Sequence, residues 1–404
     1  MAGTSTVAAQ ERVSLSSLID EALTAHPTLV AADARRAAAT ERIAQERALP
    51  DPMVSAGYAS VGLPLPGAGL RSEPLANLSV MVSQTFPYPG TRALRASAAM
   101  REAEAVAPLV DMARLDIISR VKQLYYRLAS VHATSDVLAR NVQLLDTLLQ
   151  VSEGRYAVGQ AAQQDVIKAQ TELSILELQQ RRLNQERLAL DTELNTLRGR
   201  PPLAVVGRPD DLAFVPFEEQ LEPMLAAART HAPMLQRDRL MIASAETSIA
   251  LARQASKPDI TVSGGYAYSG AMPRMFEARV DVNVPFRKER RLAAVAEQSL
   301  RLQAAQADLA SNERGLDAEL QVEFRAAATA SELARLYRDT VLPQARLALE
   351  SSISSYESGA VDFLSVLTNF SSVLQYETSY VEELMNFHVA TSRVESMTGA
   401  PLVH

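Results

Sequence analysis

The sequence predicts a mainly α-helical protein with a small β part: long coiled-coil helices in two tandem repeats, each carrying a β-hairpin. Three observations predict it. Helical patterns run far longer than a globular core can cover. Stretches with a period of two interrupt them at two places. The landmarks of the first half then recur in the second, about 200 positions on. The recurring phrase is Tyr156-Ala157-Val158-Gly159 followed by Asp165-Val166-Ile167, against Tyr356-Glu357-Ser358-Gly359 followed by Ser365-Val366-Leu367. A glycine between two helical runs, with no proline, reads as the tip of a helical hairpin.

Taken in order, residues 1–13 read as a flexible N-terminal arm. Ser14 opens a helix with Leu15, Leu18, Ile19, Ala22 and Leu23 on one face, which ends at His26-Pro27. A second helix runs from about Thr28 to Leu49, and Pro50-Asp51-Pro52 stops it. Strands are expected at about 53–61 and 76–86, joined by a Gly/Pro loop. In the second of them Leu78, Val80 and Val82 alternate with Ser79, Met81 and Ser83. A helical pattern then runs from Thr91 to about Tyr156, with Pro108 as a potential kink. At 1.5 Å per residue such a helix is on the order of 100 Å long. After Gly159 another helix runs to Arg198. Its Val166, Ala169, Leu173, Leu176, Leu183, Leu190, Leu194 and Leu197 form a coiled-coil seam, broken only by Gln180 and Arg187.

The programme then restarts. His231-Ala232-Pro233 echoes His26-Pro27, Pro258-Asp259 echoes Pro50-Asp51, and Ser263-Gly264-Gly265-Tyr266 echoes Ser55-Ala56-Gly57-Tyr58. Val284-Pro285-Phe286 echoes Phe86-Pro87-Tyr88, and Thr398-Gly399-Ala400-Pro401 echoes Arg198-Gly199-Arg200-Pro201. A first repeat is therefore expected over 14–205, a linker over 206–214 and a second repeat over 215–404. The second repeat has strands at about 259–268 and 277–286.

Ile260, Val262, Tyr266 and Tyr268 point one way in the third strand; Val280, Val282, Val284 and Phe286 share a face of the fourth, opposite Arg279 and Asp281. Such a sheet fits a soluble layer packed on helices. It equally fits a barrel wall, apolar to lipid and polar to a wet lumen. Four strands cannot close a barrel, which takes about eight. Their edges must pair with something, and oligomerisation around an axis supplies it.

Composition removes other classes. A net charge of −7 without a basic block argues against nucleic acid. Without cysteine there are no disulfides, thiolate metal sites or Cys nucleophiles. No apolar run reaches the roughly 18 residues of a membrane helix. His26, His132, His231, His388 and His404 are nowhere at metal-ligand spacing, so no metal or cofactor is expected. Met272 and Met275 read as loop residues rather than ligands. With no phosphate loop or nucleophile elbow, no enzyme is expected.

This layout and these words resemble the outer membrane factor family, the TolC-like outer membrane efflux proteins, from about Ser14 to Leu402. Gln84-Thr85-Phe86-Pro87-Tyr88-Pro89-Gly90 further resembles its CzcC/CusC-like heavy-metal branch. The resemblance implies a homotrimer with a 12-stranded outer-membrane β-barrel over a periplasmic α-helical barrel. The implied partners are a periplasmic adaptor protein, an inner-membrane RND pump and outer-membrane lipid. The implied role is a passive exit duct of a tripartite efflux system, with metal cations as the exported solutes. A duct for drugs or for type I protein secretion is the alternative, and a soluble periplasmic coiled-coil scaffold the rival of another class.

The resemblance further implies that Tyr156, Gly159, Asp165, Tyr356 and Gly359 lie at the periplasmic tips that dock the adaptor. It places a pore constriction at Asp362, Ser365 and Thr368. Several family members carry acids just after the second glycine, where three clustered carboxylates attract cations. Here Ser365 and Thr368 stand in those places, and Asp362 is the nearest acid. For Asp165 the plain alternative is a first-turn acid favoured by the helix dipole. Met1 to Gln10 is not a complete signal peptide, so a leader on the natural precursor is expected.

Overall fold

The structure, a computed structural model, describes residues 12–60, 70, 76–269 and 273–399. Most of the expected N-terminal arm, most of the Gly/Pro loop after the first strand, Met272, His404 and the C-terminal echo beyond Gly399 lie outside the described residues. In chain order the elements begin with β1 (Arg12–Val13), α1 (Leu15–Ala25), α2 (Pro27–Arg47), β2 (Met53–Ala59) and β3 (Asn77–Phe86). Next come α3 (Thr91–Ala157), α4 (Gln163–Leu197), β4 (Arg208–Pro209), α5 (Leu221–His231), α6 (Pro233–Gln254), β5 (Ile260–Tyr268) and β6 (Met275–Val282). Last are α7 (Lys288–Leu336), a π-turn (Tyr337–Val341), α8 (Leu342–Glu357) and α9 (Phe363–Thr398).

The chain forms two compact units. The first takes the described residues up to Ala31, Asp111–Ala232 and Glu313 onward; the second takes Ala32–Val110 and Pro233–Asn312.

In the first unit the helices pack along narrow seams. Ser14 caps α1, its hydroxyl accepting from the Ser17 N–H at 3.3 Å. One cluster joins Leu18 and Ala22 of α1 to Val121 and Leu128 of α3 and Leu194 of α4. A second joins Leu145 and Leu148 of α3, Leu176 of α4, and Phe363, Val366 and Phe370 of α9. The α4 seam is observed, with Ala169, Leu176, Leu190 and Leu194 buried. Its two polar interruptions sit in the seam with partners: the Gln180 amide donates to Ser135 Oγ, and Arg187 Nη1 donates to Asp191 Oδ2 at 3.0 Å.

The linker between the expected repeats is stitched to this unit. Arg208 Nη2 donates to Asp136, and the Asp210 N–H donates to Tyr125 Oη at 2.9 Å. His388 bonds the Ala213 carbonyl at 3.0 Å, and Phe217 packs on Phe324 and Phe387. His26 and His231 stand at helix ends, as expected: His26 is the C-cap of α1, and His231 is the last residue of α5.

The second unit holds a four-stranded antiparallel sheet in the order β2-β3-β5-β6. Register aligns Val54 with Val82, Val80 with Tyr266, and Tyr266 with Phe276. One face therefore carries Val54, Leu78, Val80, Val82, Ile260, Val262, Phe276, Val280 and Val282, all exposed. The other carries small or polar side chains such as Ser55, Ser79, Ser83, Thr261, Ser263, Glu277 and Asp281. Strands β2 and β6 each pair on one edge only within the chain.

Two elements differ from expectation. Strand β6 covers 275–282 rather than 277–286. Beyond it the Asn283 N–H still donates to the Asp259 carbonyl at 3.0 Å, but Pro285 has no N–H to extend a ladder. Val284 and Phe286 thus lie outside the strand, on a turn closed by the Phe286 N–H to the Val284 carbonyl. The second long helix is interrupted by the π-turn, whereas α3 continues as helix through Pro108.

Candidate functional site

Both expected tips are helix-terminating Schellman turns built by the same hydrogen bonds. The Gly159 N–H donates to the Tyr156 carbonyl at 2.9 Å, and the Gln160 N–H to the Arg155 carbonyl at 2.8 Å. In the second tip Gly359 donates to Tyr356 at 2.9 Å and Ala360 to Ser355 at 2.8 Å. This turn needs a left-handed residue after the last helical carbonyls. Gly159 and Gly359 supply it at φ of 75° and 79°. A side chain there would be strained whatever the surrounding space.

The two tyrosines of the repeated phrase are not equivalent. Tyr156 is 47% exposed, whereas Tyr356 is 3% exposed. The Tyr356 ring packs edge-on against Phe363 at 5.5 Å, and its hydroxyl shares a 3.2 Å hydrogen bond with Ser152 Oγ. The side chain between the tips is Arg155. Its Nη1 donates to the Tyr356 and Glu357 carbonyls, each at 2.7 Å, and its guanidinium lies 4.8 Å from the Tyr356 ring centroid. A cation at the last carbonyls of α8 also meets the negative end of the helix dipole. Arg155 thus ties the α3 tip to the α8 tip.

Asp165 sits in the first turn of α4, whose N-cap Ala162 has no side chain to offer the free amides. Asp362 is itself the N-cap of α9: its Oδ1 accepts from the Ser365 N–H at 3.0 Å and also from Ser365 Oγ. These bonds from Ser365, side chain first, hold the Asp362 carboxyl below the usual carboxylate range. Thr368 Oγ1 donates back to the Leu364 carbonyl at 2.8 Å. Of the three expected constriction residues, Asp362 alone carries charge, and Ser365 serves it as a capping partner.

Sequence reasoning missed Arg155 and the group above it. Glu377, 8% exposed, accepts from Asn141 Nδ2 at 3.2 Å and from Arg346 Nε at 3.1 Å. It so binds α9 to α3 and α8 beside a groove of about 400 Å³ lined by Arg140, Leu144, Leu349 and Glu357. A signal for Arg155 existed: its counterpart 200 positions on is Ser355, so the tips differ at the residue next to the tyrosine.

A sheet with one apolar face and open edges thus shares one chain with seamed helices and paired glycine tips. Residues 18–200 match the family described as outer membrane efflux protein. The cobalt-zinc-cadmium resistance protein CzcC of Cupriavidus metallidurans is 23% identical over 323 residues, 77% of this chain and 74% of its own length. Among solved structures, the outer-membrane channel OprN superposes with a TM-score of 0.82 at 17% identity, covering 95% of this chain and 89% of its own. VceC of Vibrio cholerae gives a TM-score of 0.80 at 20% identity over 95% and 96% of the two chains. CusC gives 0.80 at 15% identity over 95% and 92%. The expected match to that family, over residues 18–200, and the mainly helical fold with a small sheet part are therefore observed. By their descriptions the family and these relatives are efflux and resistance proteins and channels, not enzymes.

Proposed function

We propose that this chain is the outer-membrane channel of a tripartite efflux system: a homotrimer whose sheets join edge to edge into one 12-stranded barrel. The observation that carries the reading is the four-stranded sheet, apolar on one face and unpaired at β2 and β6. An exposed apolar face of that extent needs lipid or protein against it, and open edges need strands. Three copies meet both needs. Among the described residues no helix is long and apolar enough to cross a membrane, which leaves insertion to the strands. The matching element order on the two sides of the linker, and the paired glycine turns, support a tandem duplication with repeats over 14–205 and 215–404.

In this reading the trimer carries six tips, which dock a periplasmic adaptor coupled to an RND pump. Gly159, Asp165 and Tyr156 supply one kind of tip and Gly359 with the buried Tyr356 the other. Asp362, Ser365 and Thr368 ring the constriction, where three Asp362 carboxylates favour cations. Likeness to CzcC, described as a cobalt-zinc-cadmium resistance protein, supports divalent metal cations as the exported solutes.

Two experiments test this. Extraction in detergent should give a trimer that forms pores in planar bilayers; a protein soluble without detergent and not trimeric would defeat the channel. A deletion strain should lose tolerance to cobalt, zinc or cadmium. Unchanged metal tolerance with lost dye or detergent tolerance would assign the duct to drugs instead.

A further inference from the structure

Between buried Ala334 of α7 and buried Leu342 of α8 the helix widens into the π-turn Tyr337–Val341, none of whose residues is buried. The Leu342 N–H reaches back to the Tyr337 carbonyl, five residues away instead of four. Pro343 explains why. In a regular helix its ring would press on the carbonyl four residues earlier, that of Asp339, and it has no N–H to offer. One extra residue in the turn relieves that clash. Such turns are rare and cluster at functional sites.

Three features set this turn apart from a mere proline scar. Its own contacts are few: the Tyr337 ring lies 6.4 Å from that of Tyr376, and Arg338 pairs with its neighbour Asp339. Beside it opens a cavity of about 470 Å³ lined by Arg338, Leu342, Pro343, Arg346, Leu212 and Tyr380, so the turn has space to enter. The flanks are firmly held. Above, Ala327, Ala330 and Phe387 pack closely; below, Arg346 is bonded to buried Glu377. The contact that reaches the π-turn from the linker is Phe214, whose ring lies 4.1 Å beneath the Arg338 guanidinium.

We propose that the π-turn is a hinge between α7 and the α8–α9 tip, and that Phe214 with Arg338 laid across it is the latch that holds the hinge. Passing the extra residue along the helix turns each residue it passes by about 100° about the helix axis without breaking more than a turn of hydrogen bonds. The linker thereby reports to the Tyr356–Gly359 tip. The inference does not depend on the channel reading, since it concerns one chain.

Hydrogen exchange on the full-length protein, extracted in its native oligomer, tests it. In the wild type, amides of residues 340–346 should exchange roughly tenfold faster than those of 325–334 and of 349–356, because local opening is confined to the hinge. Phe214→Leu keeps the apolar volume and removes the ring face. It should raise exchange at 340–346 a further two- to fivefold, the range of an exposed cation–π contact, and leave both flanks unchanged. Pro343→Ala should slow that segment toward the flanks. Exchange at 340–346 no faster than in the flanks would overturn the hinge. A Phe214→Leu effect that is nil, or equal across all three segments, would overturn the latch. Either result can occur while bilayer pores and trimers are normal, so failure here is distinguishable from failure of the channel reading.

Discussion

Removing the Arg155 guanidinium should loosen the second tip by an amount that can be worked from its bonds. Arg155→Gln deletes two hydrogen bonds of 2.7 Å to the last carbonyls of α8 and the contact with the Tyr356 ring. A bond from a charged donor contributes about 1.5–3 kcal/mol net, and an exposed cation–π contact about 0.5–1 kcal/mol. The side chain is half-buried and its contacts share one group, so they do not add in full. About 2 kcal/mol is the expected total, or roughly a 30-fold shift in the local opening equilibrium at 1.4 kcal/mol per decade. The amides of Ser358, Gly359 and Ala360, which donate within the turn, report that opening directly in hydrogen exchange. Arg155→Lys, which keeps the charge but not the two-pronged donor, should fall between. A change below about threefold in the glutamine variant, or an equal loss of protection in α5, would refute the clasp.

Three further outcomes follow from the same geometry. Gly359→Val should impair adaptor docking and efflux while sparing barrel insertion, whereas Gly359→Asn, which tolerates φ of 79°, should be mild; equal damage from both would move the cause off the backbone. Burial first, against a weaker opposing bond to the Ala213 carbonyl, holds the His388 imidazole below its ordinary value. The unfolded chain then binds the proton more readily, so stability is full above about pH 6.5 and falls as pH drops below it; the urea midpoint of a His388→Gln protein should lose that slope. Val80→Lys, on the apolar face of the sheet, should cost about 2–4 kcal/mol in a bilayer and cut the yield of inserted trimer, while Ser83→Lys on the opposite face should insert normally.

Local chemistry made much of this legible before any coordinates. The alternation of Leu78, Val80 and Val82 is a period that only a two-faced strand uses, and Gly159 and Gly359 are the residues a left-handed turn selects. The α4 seam was readable for the same reason, and Gln180 and Arg187, its exceptions, proved to be bonded seam residues. What stayed hidden depends on partners far away in sequence. Arg155 meets Tyr356 across 201 positions, and Glu377 meets Asn141 across 236. No periodicity encodes such a pair. The apolar alternation of Val280, Val282, Val284 and Phe286 also misled, because hydrophobic pattern was followed past Pro285, where hydrogen bonding ends. Pro343 carried a comparable signal for the π-turn.

The unequal tyrosines allow one more test, which separates a docking surface from a structural prop. Tyr156 and Tyr356 occupy the same place in the same turn, yet one ring is in solvent and the other in a core. The difference comes from what faces each. Tyr356 has Ser152 for its hydroxyl, Phe363 for its edge and Arg155 for its face. Ser352, standing where Ser152 stands in the first repeat, instead turns its hydroxyl onto the Leu349 carbonyl of its own helix at 2.8 Å. Truncating a buried aromatic costs about 3–5 kcal/mol, so Tyr356→Ala should lower the denaturation midpoint and release the second tip even in the isolated trimer. Tyr156→Ala should leave that midpoint unchanged and act only when the adaptor is present, as weakened cross-linking to it and reduced efflux. If both variants lowered stability alike, the first tip would be a second prop. If Tyr156→Ala left adaptor cross-linking intact, docking would have to be assigned elsewhere on the tips.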